Sequence, residues 1–313
     1  MGDPLAARAV DALNAFFGRH EGQRAVHAKG LLCAGTFTPT ADAAAPTTAA
    51  HLQGDPVPVV ARFSNASGNP EEPDYARDGR GLAVKFTLPD GSKTDIVSVN
   101  VPVFLVRTPE DFVRFIRAAR PIAGTPLPGP RLAWFLATHR ESWRAVRLGA
   151  TMKPPASFAT ITYHAIHAFR WIDAAGTSRH VRHSWIPEAG DSFLSRGEAK
   201  ARGRDYLGRE LGERLERGPV RFTLRVQLAA DGDPTDDPTA TWPDDRDIVD
   251  AGTLELTGLE TGREQGSDVL VFDPTRVTPG IELSDDPVLR FRTHAYSASV
   301  ERRSGVARPP ALG

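Results

Sequence analysis

Residues 81–106 read GLAVKFTLPDGSKTDIVSVNVPVFLV. Val, Phe and Ile crowd residues 81–88 and 95–106 with partial alternation, residues 56–64 repeat the pattern, and each stretch predicts a strand. Gly and Pro recur densely around them, as expected of β structure with many turns. Further outward, strands are expected at 159–172, 178–186, 219–229 and 252–259. Helical spacing marks Leu5 to Phe17, and 109–118 opens on Pro109, Glu110 and Asp111, acids suited to a helix start. Helices are also expected over Leu132 to Leu148, over the charged stretch 196–217 that stops at Gly218-Pro219, and over Pro287 to Ser297. Residues 121–130, PIAGTPLPGP, read as loop, and 230–245, ADGDPTDDPTATWPDD, as an acidic loop without a core contribution. Strands dominate the middle, with helices between and after them, which indicates an α+β fold rather than alternating units. With no repeat and no linker, residues 1–313 read as a single domain.

The 313 residues carry a formal net charge of −1, so no global field draws in nucleic acid or an anionic membrane. Apolar residues make up 40% and charged residues 25%, the balance of an ordinary globular protein. No apolar run reaches membrane-spanning length, no secretory signal is visible, and the single cysteine, Cys33, excludes an internal disulfide framework. These features lead us to expect a cytoplasmic protein.

Zinc, calcium, phosphate-loop and nucleophile-elbow motifs are absent. His164 and His167 stand three apart on an expected strand and would face opposite ways, so they read as structural. Five clusters combine unusual residue types. Arg24-Ala25-Val26-His27 sets a histidine among small and apolar residues; alone, a buried structural histidine is the plainer reading. Arg62-Phe63-Ser64 places an arginine and a serine on one face of a strand. Asp78-Gly79-Arg80-Gly81 reads as a turn entering a strand, and the plain reading of Arg80 and Gly81 is a solvated turn. Asn100 interrupts an apolar strand and is either a structural bracket or a ligand contact. Near the end, Asp286 before Pro287 has the form of a helix cap, and on that helix Arg292 and Tyr296 share one face. An arginine beside a phenol favours phenolate, a hard anionic ligand suited to ferric iron, although such pairs are also common as surface and core neighbours.

Together with Phe272-Asp273-Pro274 and Pro279-Gly280-Ile281, and in this order, these clusters resemble the haem catalase family over about residues 20–300. The resemblance is to the small catalase-related peroxidases, because the chain ends soon after Tyr296. It implies an antiparallel β-barrel core with surrounding and C-terminal helices, and haem b (iron protoporphyrin) between barrel and helices. Tyr296 would be the axial ligand of the haem iron, the catalase mode of ligation, with Arg292 holding it as phenolate. His27 and Asn100 would be the distal catalytic pair, and Ser64 the partner of the distal ring. Arg24 and Arg62 would meet the haem propionates, Phe112 would stack on the haem, and Val26 and Asp78 would line the peroxide channel.

Three positions depart from the family pattern. Val99 replaces a second asparagine. Thr293 and His294 replace a leucine and a phenylalanine. No residue of 178–186, His183 and Ser184 included, can be assigned as the support of the proximal arginine. The implied function is a haem peroxidase that takes organic peroxides and hydrogen peroxide, uses a small organic electron donor, and has weak catalase activity. The alternatives are an isomerase of fatty-acid hydroperoxides, similar to allene oxide synthases, and a non-catalytic haem-binding barrel. The family suggests a homodimer, with no nucleic acid or membrane partner.

Overall fold

The computed structural model describes residues 3–121, 129–263 and 269–304. The expected strands form as β2 (Val57–Asn65), β3 (Arg80–Thr87), β4 (Lys93–Val99), β5 (Tyr163–Ile172), β6 (Ser178–Pro187), β7 (Val220–Leu228) and β8 (Ile248–Leu259). Two strands were not expected, β1 (Gly30–Pro39) and β9 (Ile281–Leu283). All pair antiparallel in the order β4-β3-β2-β1-β8-β7-β6-β5-β9, and β4 also meets β5 through the pair Val99 and His164. That contact closes eight strands into a barrel, with β9 added beside β5. Side chains alternate across each strand, so one face of every strand fills the barrel. Phe37, Phe63, Phe86, Tyr163, Trp171, Trp185 and Phe222 are buried in this core.

Helices cover part of the outside. They are α1 (Pro4–Phe17), α2 (Pro109–Ala119), α3 (Pro130–Thr138), α4 (Ser142–Thr151), α5 (Arg196–Ala201), α6 (Tyr206–Arg217) and α7 (Pro287–Ser304). A second apolar cluster joins Val10 and Leu13 of α1, Val113 and Ile116 of α2 and Phe135 of α3, with Phe291 of α7 against it. Among the described residues no helix is long and apolar enough to cross a membrane.

Several expectations need correction. The strand expected over 95–106 leaves the sheet after Val99, because Asn100 turns its side chain onto the Arg80 backbone and Pro102 follows. The single helix expected over 132–148 is two. Thr138 Oγ1 bonds the carbonyls of Trp134 and Phe135, the His139 ring stacks on Phe135 at 3.9 Å, and these local bonds compete with the helical ladder. The stretch 196–217 likewise breaks between α5 and α6, where Gly203 adopts φ +96°. The first part of 159–172 is a single helical turn capped by Ser157, β8 starts four residues early, and α7 runs on past Ser297 to Ser304. The acidic loop 230–245 does reach inward: Trp242 is buried, with the Arg182 guanidinium 4.7 Å from its ring centroid. The loop expected at 121–130 falls mostly outside the described residues.

Candidate active site

His27 lies between α1 and β1 with φ +56°, the left-handed conformation that a β-carbon disfavours. Holding it there costs about 1–3 kcal/mol, which the surroundings must supply. Its N–H donates to Ala66 O at 3.0 Å, and the next N–H, of Ala28, donates to Ser67 O at 3.1 Å. The ring's Nδ1 is 2.9 Å from Ser64 Oγ, a hydroxyl that can serve either tautomer. Ser64 is buried on β2 directly opposite Gly81 on β3. A β-carbon at Gly81 would lie 2.8 Å from Ser64 Oγ and 3.0 Å from the imidazole, so Gly81 makes the space in which the ring sits. The solvated turn expected at Arg80-Gly81 is therefore an interior feature. Arg80 is fully buried, and its guanidinium donates to the carbonyls of Asp74, Asp78 and Gly79.

Burial first, then the charges of Arg62, Arg292 and Arg24, push the His27 imidazole down to about 3. The ring is thus neutral at pH 7. Among the described residues its Nε2 makes no hydrogen bond, which leaves one nitrogen available to a ligand.

Asn100 follows the end of β4. Its Oδ1 accepts the Arg80 N–H at 2.7 Å, and its Nδ2 meets Met152 Sδ at 3.8 Å. The bracket reading therefore holds: the carbonyl end ties down the Arg80 backbone, and the amide end faces a sulfur. Val26 is half-buried against the helical cluster. Asp78 accepts the Ser67 N–H at 2.9 Å, and burial raises its carboxyl above the usual range. Arg24 Nη2 donates to Leu270 O at 2.8 Å, and buried Arg62 donates to Ala28 O at 3.3 Å. Gly30 allows that approach, because a β-carbon there would come within 2.7 Å of the Arg62 guanidinium.

Helix α7 carries the arginine–tyrosine pair. Asp286 caps it, with Oδ1 accepting the Val288 and Leu289 N–H groups at 2.8 and 3.2 Å. One turn apart, Arg292 Nη1 donates to Tyr296 Oη at 3.0 Å. The Arg292 guanidinium lies 5.8 Å from the Phe104 ring, which stacks on Phe112 at 5.6 Å.

The sequence reading missed His167. Its strand carries a bulge between Ala165 and Phe169, where the register against β6 shifts. The shift turns the ring out of the barrel, 6.3 Å from Phe104 and with Nδ1 2.6 Å from Asp286 Oδ2. His167 is buried, and its Nε2 has no hydrogen-bond partner. Burial and the charge of Arg292 lower it to about 4 against the opposing pull of Asp286. It is neutral, so its unpaired nitrogen presents a lone pair in the field of Arg292. His183 and Ser184 lie elsewhere: His183 packs between Phe169 and Trp171, and Ser184 bonds His164 at 3.0 Å.

The departure at Thr293 also has a structural reason. Thr293 Oγ1 donates to Asp273 Oδ2 at 3.1 Å and makes a close contact with Thr275 Oγ1. The Asp273 N–H in turn donates to Asp95 Oδ2 at 2.9 Å, and buried Asp95 pairs with Lys85 at 2.5 Å and Arg276 at 2.7 Å. Stretch 271–276 thereby ties α7 to β4, and His294 points to solvent.

The described residues thus include a neutral, anchored imidazole, a bracketed amide, and an arginine-paired phenol whose arginine acts electrostatically on that imidazole. The Tyr296 oxygen could hold a ferric ion, and Arg24 and Arg62 could hold carboxylates. Comparison with known proteins identifies the family. The sequence profile of the catalase family matches residues 7–308. The chain is 50% identical to a catalase-related peroxidase of Mycolicibacterium paratuberculosis over 96% of its own length and 95% of the relative's. It is 36% identical to a catalase-related peroxidase of Synechococcus elongatus, covering 94% of this chain and 87% of the other. The crystal structure of a fungal catalase superposes with a TM-score of 0.82 at 25% identity, covering 95% of this chain and 62% of that one. Profile, relatives and fold converge, and the chain belongs to the catalase family.

Proposed function

We propose that this chain is a haem-dependent enzyme that reduces organic peroxides and hydrogen peroxide at the expense of an organic donor, with weak dismutation. The observation that carries this reading is the neutral His27 ring, anchored through Ser64 and within electrostatic reach of Arg292, the partner of Tyr296. A barrel that only stored a ligand would have no use for a proton carrier held in a strained backbone conformation. The names of the two relatives at 50% and 36% identity support the same activity.

The residues present fit a haem. A phenol with a guanidinium on its oxygen suits ferric iron, and two further arginines suit the propionates. Nearly every described residue of α7 from Phe291 to Val300 is half-buried, as befits a helix that lines a space rather than a solid core. Tyr296 would hold the iron, with Arg292 stabilising negative charge on the phenol oxygen. His167, locked by Asp286, would steady Arg292 from behind. Arg24 and Arg62 would take the propionates, and Phe112 would close the wall beside Phe104.

When bound, the haem supplies the electrons that break the O–O bond. The chain supplies the proton path. His27 takes a proton from one peroxide oxygen and returns it to the other, so that water or alcohol can leave. Ser64 keeps the ring aimed, and Asn100 Nδ2 donates a hydrogen bond to the peroxide.

Ligation is tested first. Tyr296→Phe should lose the tyrosinate character of the ferric spectrum, and an unchanged spectrum would assign the iron to another residue. The activity is tested by following donor oxidation and oxygen release together. Donor-dependent consumption of hydrogen peroxide and an organic hydroperoxide is expected, with oxygen release the lesser flux. Vigorous oxygen release with negligible donor oxidation would make the protein a dismutating catalase instead. Conversion of a fatty-acid hydroperoxide without donor consumption would make it an isomerase.

A further inference from the structure

We propose that Met152 is a self-oxidation site, at which a thioether beside Asn100 takes an oxygen atom from peroxide held by His27 and Asn100. The inference rests on the peroxide-reducing reading above. The sequence contains two methionines, Met1 and Met152. Met152 is half-buried at the C-terminal cap of α4, and its sulfur is 3.8 Å from Asn100 Nδ2. Both sides of that contact are held. The Asn100 carbonyl end is fixed by the Arg80 N–H at 2.7 Å. Beyond Met152, Pro154 O accepts the Leu194 N–H at 2.8 Å and Pro155 O accepts the Tyr206 hydroxyl at 2.5 Å. A peroxide bonded to Asn100 Nδ2 therefore shares its donor with a soft, nucleophilic sulfur.

The step balances with the peroxide alone. The sulfur lone pair attacks the outer peroxide oxygen, an S–O bond forms and the O–O bond breaks. Sulfur is oxidised by two electrons, and the peroxide is reduced to alcohol or water. His27 carries the proton from the transferred oxygen to the departing one. The product is a methionine sulfoxide, whose oxygen is a far stronger acceptor than a thioether. It would bind Asn100 Nδ2–H and withdraw that donor from the next peroxide, so the enzyme would slow as it works at excess peroxide.

The test uses haem-loaded protein, tert-butyl hydroperoxide and N-acetylmethionine amide in one tube. Peroxide consumption is followed beside mass spectrometry of the peptide carrying Met152. We expect that peptide to gain one oxygen atom at least about tenfold faster than the free thioether, because the site holds peroxide against the sulfur. Turnover should fall in step, recover on treatment with methionine sulfoxide reductase, and show no such fall in Met152→Leu. The wild-type mass measurement stands whether or not that variant folds. If peroxide is consumed while Met152 stays reduced, or is oxidised no faster than the free thioether, the inference fails and the peroxidase reading stands. If peroxide is not consumed and Met152 stays reduced, both fail. Oxidation of Met152 with an equal decline in Met152→Leu overturns the link to Asn100.

Discussion

Haem-loaded His27→Ala should keep its haem and react with peroxide about 10²- to 10⁴-fold more slowly than wild type, the range for loss of a positioned acid–base group. Retention follows from the proposed ligation: Arg292 and Tyr296 sit on α7, and their 3.0 Å contact does not involve His27. The rate loss follows because heterolysis needs a proton removed from one oxygen and delivered to the other. In the proposed path the neutral imidazole makes that transfer, with Ser64 2.9 Å from its Nδ1. With the ring lowered to about 3, the wild-type rate should hold level from pH 8 to pH 5 instead of declining near 6.5 as for an ordinary histidine. Stopped-flow mixing of both proteins with hydrogen peroxide, followed in the haem absorbance, decides the matter. Equal rates would make His27 structural and remove the proposed proton path.

Acid should destabilise the fold well before its carboxylates titrate. His51, His167 and His183 are buried, with values lowered to about 3, 4 and 4, in each case chiefly by burial. The charge of His183 adds to the effect on His51, and that of Arg292 to the effect on His167. In the unfolded chain each ring takes up a proton below about 6.5, whereas in the folded chain it stays neutral until about 3 to 4. The unfolded state therefore binds more protons across that window. Stability falls as pH drops through 6.5 and levels off only below the folded values. At pH 5 each ring costs about 2 kcal/mol, and the three together about 6, as much as many domains have in total. Urea unfolding at pH 7.5, 6.5, 5.5 and 5.0 should show the midpoint falling steeply. His51→Phe, at a site where the ring already packs on Phe37 and Phe86, should flatten that slope by about a quarter, because His27, lowered to about 3, adds a fourth such ring. A constant midpoint down to pH 5 would mean that the rings take up protons inside the fold.

The fold was legible where side chains alternate and illegible where the backbone needs small residues. Strands β2 and β3 announce themselves through Val, Phe and Leu. Strand β1 reads Cys33-Ala34-Gly35 at its middle, because a β-carbon at Gly35 would lie 2.1 Å from Glu255 O across the bulge against β8. Such a strand carries no β-propensity signal. The helix cap at Asp286 and the Arg292–Tyr296 spacing were legible because both are local. His167 was not, since alternation on a regular strand says nothing about a bulge that re-aims the ring. Arg80 defeats a composition argument for the opposite reason. Its charge is accommodated by backbone carbonyls of residues 74–79, partners that no residue type encodes.

The barrel closes through the single pair Val99 and His164, and Asn100 is the next residue. From there to Thr108, at the start of α2, the chain belongs to no strand. That interval carries Asn100, Phe104 and the approach to Phe112, so part of the proposed pocket wall is free of pairing register. Exchanges or added residues there need not slip a neighbouring strand, whereas a one-residue insertion or deletion inside β2 or β3 would turn Ser64 or Gly81 to the wrong face. The architecture divides heritable labour: a rigid frame fixes His27, the proposed proton carrier, and an unladdered stretch is left open to selection for the size of what enters.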